Sequence, residues 1–320
     1  MWFVDDDAQH HMFFLYASRA LQDPDARHYR ASVGHATSRD LQHWTRVEDA
    51  IVRSDAPAFD DLATWTGSIV RAADGTWFMF YTGSTSAPAG KNVQSIGYAT
   101  SADLMQWRKG PDNPVLVADP RWYETLPGSE WHDEAFRDPW VFADVDGDGW
   151  HMLITARSAA GPSDDRGVVG HAWSPDLTAW ETLPPLTSPG NGFGQLEVLQ
   201  VAEVGPRHVL LFSCLAEHAS ASVQATGTRG GIWSAPAAGP LGPFDIAAAT
   251  QLTDDRYYAG RLVQRRGDDT WHLMAFRHTG EGGSFVGEIS DPMPVRWEGE
   301  RLAIPELRTA SDVSLPRAVG

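Results

Sequence analysis

Three segments of the chain are near copies of one another: GHATSRDLQHW from Gly34 to Trp44, GYATSADLMQW from Gly97 to Trp107, and GHAWSPDLTAW from Gly170 to Trp180. Two fainter copies begin at Gly231 (GIWSAPAAGPLGPF) and Gly287 (GEISDPMPVRW), so the leading glycines are 63, 73, 61 and 56 residues apart. Repeats of this length are supersecondary units that bury their apolar faces only by stacking on one another. Each copy is preceded by an aromatic, β-branched run of strand type: HMFFLYA from His11, WFMFYTG from Trp77, WHMLITA from Trp150, HVLLFSC from His208 and WHLMAFR from Trp271. Before four of these runs lies another short strand, joined through a turn such as AADGTW or ADVDGDGW, where Gly tolerates positive φ and Asp bonds its own backbone. The glycine-led strand and a strand opening with Trp44, Trp107 or Trp180 complete a four-stranded unit. Five such units predict an all-β fold, a five-bladed β-propeller with four antiparallel strands per blade, occupying residues 1–320 as one domain with a short tail from about 308 to 320. Most of the 14 tryptophans recur at equivalent positions and are read as wedges between blades.

Charge narrows the partners. With 25 basic and 42 acidic side chains the net charge is −17, which repels phosphate backbones and anionic lipid, so neither nucleic acid nor a membrane surface is expected as a partner. No run approaches the roughly 18 to 20 apolar residues of a membrane helix, and MWFVDDD lacks the basic and apolar stretches of a signal peptide. The lone cysteine, Cys214, permits no internal disulfide, and the expected location is cytoplasmic.

The innermost strand of each blade lines the axis of a propeller, so functional side chains are sought at its start. Counting back from the hairpins puts Asp138, four residues before Phe142, level with Glu197, four residues before Val201. Blade two supplies Trp65, Thr66, Gly67 and Ser68, and blade five Tyr258 and Arg261. Carboxylates beside an arginine in a shared cavity must be desolvated, which packing alone does not explain and which suits acid–base or glycosidic chemistry. His132 and Glu134, in the long loop between blades two and three, are read as the rim of the pocket. DVDGDG from Asp144 opens like a calcium loop, but its twelfth position is Thr155 and it sits at a repeat turn; His132-Asp133-Glu134 lacks the spacing of a zinc site. No metal and no cofactor is expected, and no glycine-rich nucleotide motif is present.

At these residues the chain resembles the five-bladed furanosidases of glycoside hydrolase families 32, 68 and 43, through Arg137-Asp138-Pro139, Trp65-Thr66-Gly67-Ser68 and the glutamate of blade four. The Arg-Asp-Pro triplet leans toward families 32 and 68. The resemblance implies a hydrolase that releases terminal non-reducing β-fructofuranosyl units from a short oligosaccharide. Glu197 would then be the general acid/base, Asp138 the carboxylate that bonds ring hydroxyls and stabilises the oxocarbenium-like transition state, and Arg137 the residue that orients it. Val198-Leu199 stands where those families carry Cys-Pro or Arg-Pro after the glutamate. Their nucleophile, an aspartate on the first strand of blade one, aligns immediately before Met1, and Asp5 is the nearest candidate within the chain. Two other readings are an arabinofuranosidase or xylosidase like those of family 43, and a sugar-binding propeller without turnover.

Overall fold

The computed structural model describes residues 1–127 and 129–307; the tail expected from about residue 308 lies outside the described residues. Its strands alternate with turns from one end to the other, and among the described residues the α-helix Ala221–Gln224 is a single turn. Blade one contains β1 (Trp2–Asp5), β2 (His10–Tyr16), β3 (Ser32–Ser38) and β4 (Thr45–Arg46), and blade two β5 (Ala63–Arg71), β6 (Trp77–Ser86), β7 (Asn92–Ser101) and β8 (Arg108–Lys109). Blade three contains β9 (Phe136–Ala143), β10 (Trp150–Arg157), β11 (Gly167–Ser174) and β12 (Glu181–Leu183); blade four contains β13 (Glu197–Val204), β14 (Arg207–Leu215), β15 (Gly230–Ala237) and β16 (Thr250–Gln251). All four are antiparallel meanders in sequence order.

Blade five keeps β17 (Tyr257–Gln264) and β18 (Trp271–Thr279), but its third position is shared by β19 (Phe285–Ile289) and β20 (Met293–Pro294), which pair with successive stretches of β18. Pro292 follows Asp291 at the break, and a residue without an N–H cannot continue a ladder. The hairpin of β21 (Arg296–Glu298) and β22 (Arg301–Ala303) packs beyond it, tied to blade four by the Trp297 indole donating to Val204 O at 2.8 Å.

The inner strands β1, β5, β9, β13 and β17 are neighbours in a closed ring, β17 returning to β1. Between successive blades lies one apolar cluster, so five clusters cement five interfaces. The last interface joins blade five to blade one through Met1, Met12, Leu41, Val263 and Met274, and by an Arg266–Asp5 ion pair. The S-x-D-L-x-x-W copies explain how each outer corner is turned. Leu41, Leu104 and Leu177 have φ of 65°, 63° and 71°, a left-handed conformation that costs a branched residue on the order of 1 kcal/mol. Burial of the leucine side chains (each 1% exposed) offsets that cost, as do the bonds around them. Ser38 Oγ accepts from Leu41 N–H, Asp40 Oδ1 accepts from the next two amides, and the Trp44 indole closes the turn on Leu41 O at 2.9 Å; the same set recurs at Ser174–Trp180, and at Ser101–Trp107 the aspartate and indole bonds recur while Ser101 Oγ accepts from Asp103 N–H.

The histidines at matching repeat positions are packed, in two stacked relays. Asp6, His11 and His35 are linked at 3.1 and 2.8 Å, and His151 and His171 at 3.0 Å with Asp144 3.4 Å from His151. Burial, with a smaller push from the neighbouring imidazole, lowers both His35 and His171 to about 4. As the pH falls the unfolded chain therefore takes up protons first, so the stability these neutral rings supply is present above about pH 6.5 and drains away toward pH 4. Acidification from pH 7 to 4.5 is expected to lower Tm by roughly 5 °C or more, and a His35→Gln, His171→Gln variant to lose most of that dependence in thermal scans across pH. An unchanged slope in the variant would locate the acid sensitivity elsewhere.

Candidate active site

Four of the five inner strands carry a bulge near their start, where one extra residue is inserted between Trp65 and Gly67, Arg137 and Trp140, Glu197 and Gln200, and Tyr258 and Arg261. Asp138, Val198 and Ala259 take φ of 57°, 57° and 50° there, and in blade two a Cβ on Gly67 would lie 1.9 Å from Phe80 O, so only glycine fits. A bulge re-aims the side chains around it.

It also corrects the register expected from the repeats. The positive-φ residues correspond, so Arg137, Glu197, Tyr258 and Trp65 share one level, and Asp138 lies one position further along with Val198, Ala259 and Thr66. In VLQVAEV apolar residues fall on both faces of the strand, so its sequence gives no strict alternation to fix the register against the hairpin.

Arg137 joins the two acids. Its guanidinium is 3.3 Å from Glu197 Oε1 and 3.5 Å from Asp138 Oδ2, with Asp133 at 3.7 Å, and it donates to Gln94 Oε1 at 3.0 Å and Gln195 Oε1 at 2.7 Å. Asp138 is 3% exposed; its Oδ2 accepts from Thr155 Oγ at 3.0 Å and Val198 N–H at 3.2 Å, while its own N–H donates to Thr82 Oγ at 2.9 Å. Burial pushes the Asp138 carboxyl up, and the charge of Glu197 adds to the push against the pull of Arg137. Glu197 moves the other way. Burial alone would raise it, but the charge of Arg137 outweighs burial and holds it below the usual carboxylate range. Two carboxyl groups around one guanidinium are thereby split in proton affinity, because burial dominates at one and the cation at the other.

The other candidates divide. Tyr258 places its buried hydroxyl in the field of Glu197 without a well-formed hydrogen bond. Arg261 is 1% exposed and reaches across to Val198 O and Leu199 O at 2.9 and 2.6 Å and over the Trp140 ring, leaving Nε and Nη2 unpartnered near Asp138; burial lowers it to about 10. Trp65 is half-buried at the Glu197 level, its indole donating to His28 O at 2.8 Å. His132, 53% exposed on its side chain, stacks on His218 with centroids 5.1 Å apart and marks the rim. Thr66 turns its carbonyl to Thr82 Oγ and lies buried at the Asp138 level.

Three expected contacts are not with the pocket. Ser68 Oγ accepts from Val141 N–H at 3.0 Å, so Ser68 ties blade two to blade three. Glu134 Oε2 accepts from Leu126 N–H at 2.8 Å and closes its own loop. Asp5 sits at the far end of β1 from the site, in the hairpin turn, paired with Arg266 and 3.2 Å from His10; the end of β1 that faces Asp138 and Arg261 is Met1. The repeats predict this for Asp5, because the acids of Asp-rich turns accept the turn's own amides.

Gln195, His218, Trp131 and Thr155 escaped the sequence reading. Gln195 lies two residues before Glu197, a period-two signal that points to the same side of the strand. His218 follows β14 in a loop and has no signal in sequence. Trp131 lies over the Arg157 guanidinium at 3.7 Å, and Arg157 pairs with the buried Glu124 at 2.5 Å, so the rim loop rests on an ionic clamp.

Known proteins resemble this chain in sequence and in fold. The family described as "Glycosyl hydrolases family 32 N-terminal domain" matches residues 2–236. The chain is 30% identical over 234 residues to "Beta-fructofuranosidase 1" of Zea mays, covering 71% of this chain and 30% of that protein, and 27% identical over 299 residues to "Fructan 6-exohydrolase" of Triticum aestivum, covering 86% and 44%. It thus spans less than half the length of these curated relatives. Among solved structures, the inulosucrase of Halalkalicoccus jeotgali bound to kestose superposes with a TM-score of 0.76 at 20% identity, covering 98% of this chain and 88% of that one. The Bombyx mori β-fructofuranosidase BmSUC1 gives 0.70 at 20% identity, covering 94% and 62%, which shows the propeller fold.

Arg137→Met is expected to leave Glu197 and Asp138 buried without their counter-charge and to cost about 3–5 kcal/mol in urea unfolding. A loss below about 1 kcal/mol would mean that the guanidinium does not hold the two acids together.

Proposed function

Because the chain belongs to glycosyl hydrolase family 32, we propose that it releases terminal non-reducing β-fructofuranosyl units from a short oligosaccharide, with Glu197 and Asp138 as its catalytic carboxyl groups. The observation that carries this reading is the shared guanidinium, which holds two carboxyl groups within 3.5 Å of one cation in a single buried site. Both curated relatives described above are named as fructosyl hydrolases, and the inulosucrase structure holds kestose.

The division of labour follows from the surroundings of each acid. Glu197, with a side chain 14% exposed, is reached by Gln195 and Arg137 and faces the site, so it delivers the proton to the glycosidic oxygen as that oxygen leaves the anomeric carbon, and then takes a proton from the water whose oxygen bonds to that carbon. Asp138 is anchored by Thr155 and the Val198 amide; in its ionised form its charge faces the positive charge that grows on the sugar ring. Arg137 orients both. Trp65, His132 and Tyr258 supply the aromatic and polar lining on which a neutral furanose and its leaving sugar rest.

A second reading, sugar binding without turnover, is favoured by one observation: Asp5, the blade-one acid considered for the reaction, lies in the turn at the far end of β1. Activity decides between the two. Glu197→Gln is expected to lower kcat on sucrose or kestose by roughly 10²–10⁴-fold with little change in KM. Sugar binding with no hydrolysis by the unaltered protein would establish the second reading.

Glu197 must carry a proton to give one, and Arg137 holds it below the usual carboxylate range, while Asp138 must be ionised although burial pushes it up. The two titrations oppose each other, so kcat/KM is expected to rise as the pH falls while Asp138 stays ionised and to fall once Asp138 is protonated, and Glu197→Gln should abolish the rising limb. A rising limb of unchanged slope in Glu197→Gln would remove Glu197 as the proton donor.

A further inference from the structure

The proton on His218 can be placed by elimination. A guanidinium only donates, and Arg137 Nη2 lies 2.7 Å from Gln195 Oε1, so the amide oxygen of Gln195 faces the arginine and its NH₂ faces the other way. That NH₂ has two hydrogens and two partners: Glu197 Oε1 and, at 2.7 Å, His218 Nδ1. His218 Nδ1 therefore accepts, and the ring is the neutral tautomer with its proton on Nε2. The ring is held in that orientation. It stacks parallel to His132 (centroids 5.1 Å apart, 14° between planes) and packs against Trp131 at 5.3 Å, itself laid over Arg157. Gly194 N–H donates to His218 O at 2.7 Å, fixing the loop to the strand that leads into Gln195 and Glu197.

We propose that His218 is a positioning residue for Glu197: by accepting one hydrogen of the Gln195 amide it fixes the other on the Glu197 carboxylate, and so sets the angle from which Glu197 meets the glycosidic oxygen. This rests on the reading of Glu197 as acid/base. Gln195 alone cannot fix its own rotation about the terminal torsion, which is broad, until both ends of the amide are engaged. Arg137 engages the oxygen and His218 one hydrogen; the carboxylate of Glu197 takes what remains. His218 Nδ1 is itself 3.7 Å from Glu197 Oε1, beyond hydrogen-bond distance, so its action on the carboxylate passes through the amide.

The test compares His218→Phe, which keeps a stacking ring but no acceptor, with His218→Asn, whose side-chain oxygen can take the place of Nδ1. Steady-state kinetics on sucrose or kestose are measured beside Glu197→Gln, with Tm to confirm folding. His218→Phe should lower kcat about 10–100-fold with KM within about twofold, and His218→Asn should recover most of it. Gln195→Leu should lose as much as His218→Phe, and the double variant little more, because both break one bridge. If His218→Phe keeps full kcat while Glu197→Gln loses it, the role of His218 is overturned and the acid/base assignment stands. If Glu197→Gln keeps full kcat, the assignment beneath the proposal falls instead. Equal losses in Phe and Asn variants with a raised KM would make His218 a sugar contact, which also overturns the proposal.

Discussion

The guanidinium of Arg137 is the hinge of the site. It is 7% exposed and makes contacts from Gln94 in blade two, Asp133 in the rim loop, its own neighbour Asp138, and Gln195 and Glu197 at the entry to blade four. Two acids brought this close in a buried place would repel each other and take up protons; the cation between them lets one stay ionised while the other is pushed up. The planar fork of an arginine suits this better than the point charge of a lysine, since its separate nitrogens can be assigned to separate acceptors. The amide of Gln195 then passes the orientation on to Glu197 and His218.

That arrangement depends on the propeller at two scales. The ring of inner strands brings residues some sixty positions apart to one axis, as with the Val198 amide that reaches Asp138 and the Arg261 side chain that reaches Val198 and Leu199. The bulges then turn particular side chains into the site while the rest of each strand stays in its ladder. Interfaces between blades are built from apolar clusters and a few buried polar ties, among them Ser68 on Val141 N–H, so the walls of the site are stiff. A stiff wall is what allows hydrogen bonds near 3 Å to place a carboxylate.

Legibility of the site varied with the kind of residue. Arg137, Asp138 and Glu197 could be found because they are charged residues in segments otherwise made of apolar strand formers, where a charge has no packing role. Ser68 and Glu134 looked alike in sequence to site residues, yet their polar atoms are taken up by backbone amides at Val141 and Leu126. Such commitments come from long-range neighbours and leave no local pattern. His218 is the opposite case: it sits in a short loop with nothing around it in sequence, and becomes part of the site only because Gly194 pins that loop beside Gln195.

The sequence by itself determined the architecture. Five copies of a strand pattern, three of them closed by a turn whose aspartate and tryptophan make the same bonds, can satisfy their apolar faces only by stacking around an axis, and this information is local to each unit. It also determined which strands would carry the charges. Only the tertiary structure decided the register at which those charges meet, because the inner strands carry apolar residues on both faces and so lack a strict alternation to mark it, and the bulge that shifts it is a backbone event. It alone decided the proton affinities of Asp138 and Glu197 as well, since these follow from burial and from a cation that reaches both across the junction of two blades.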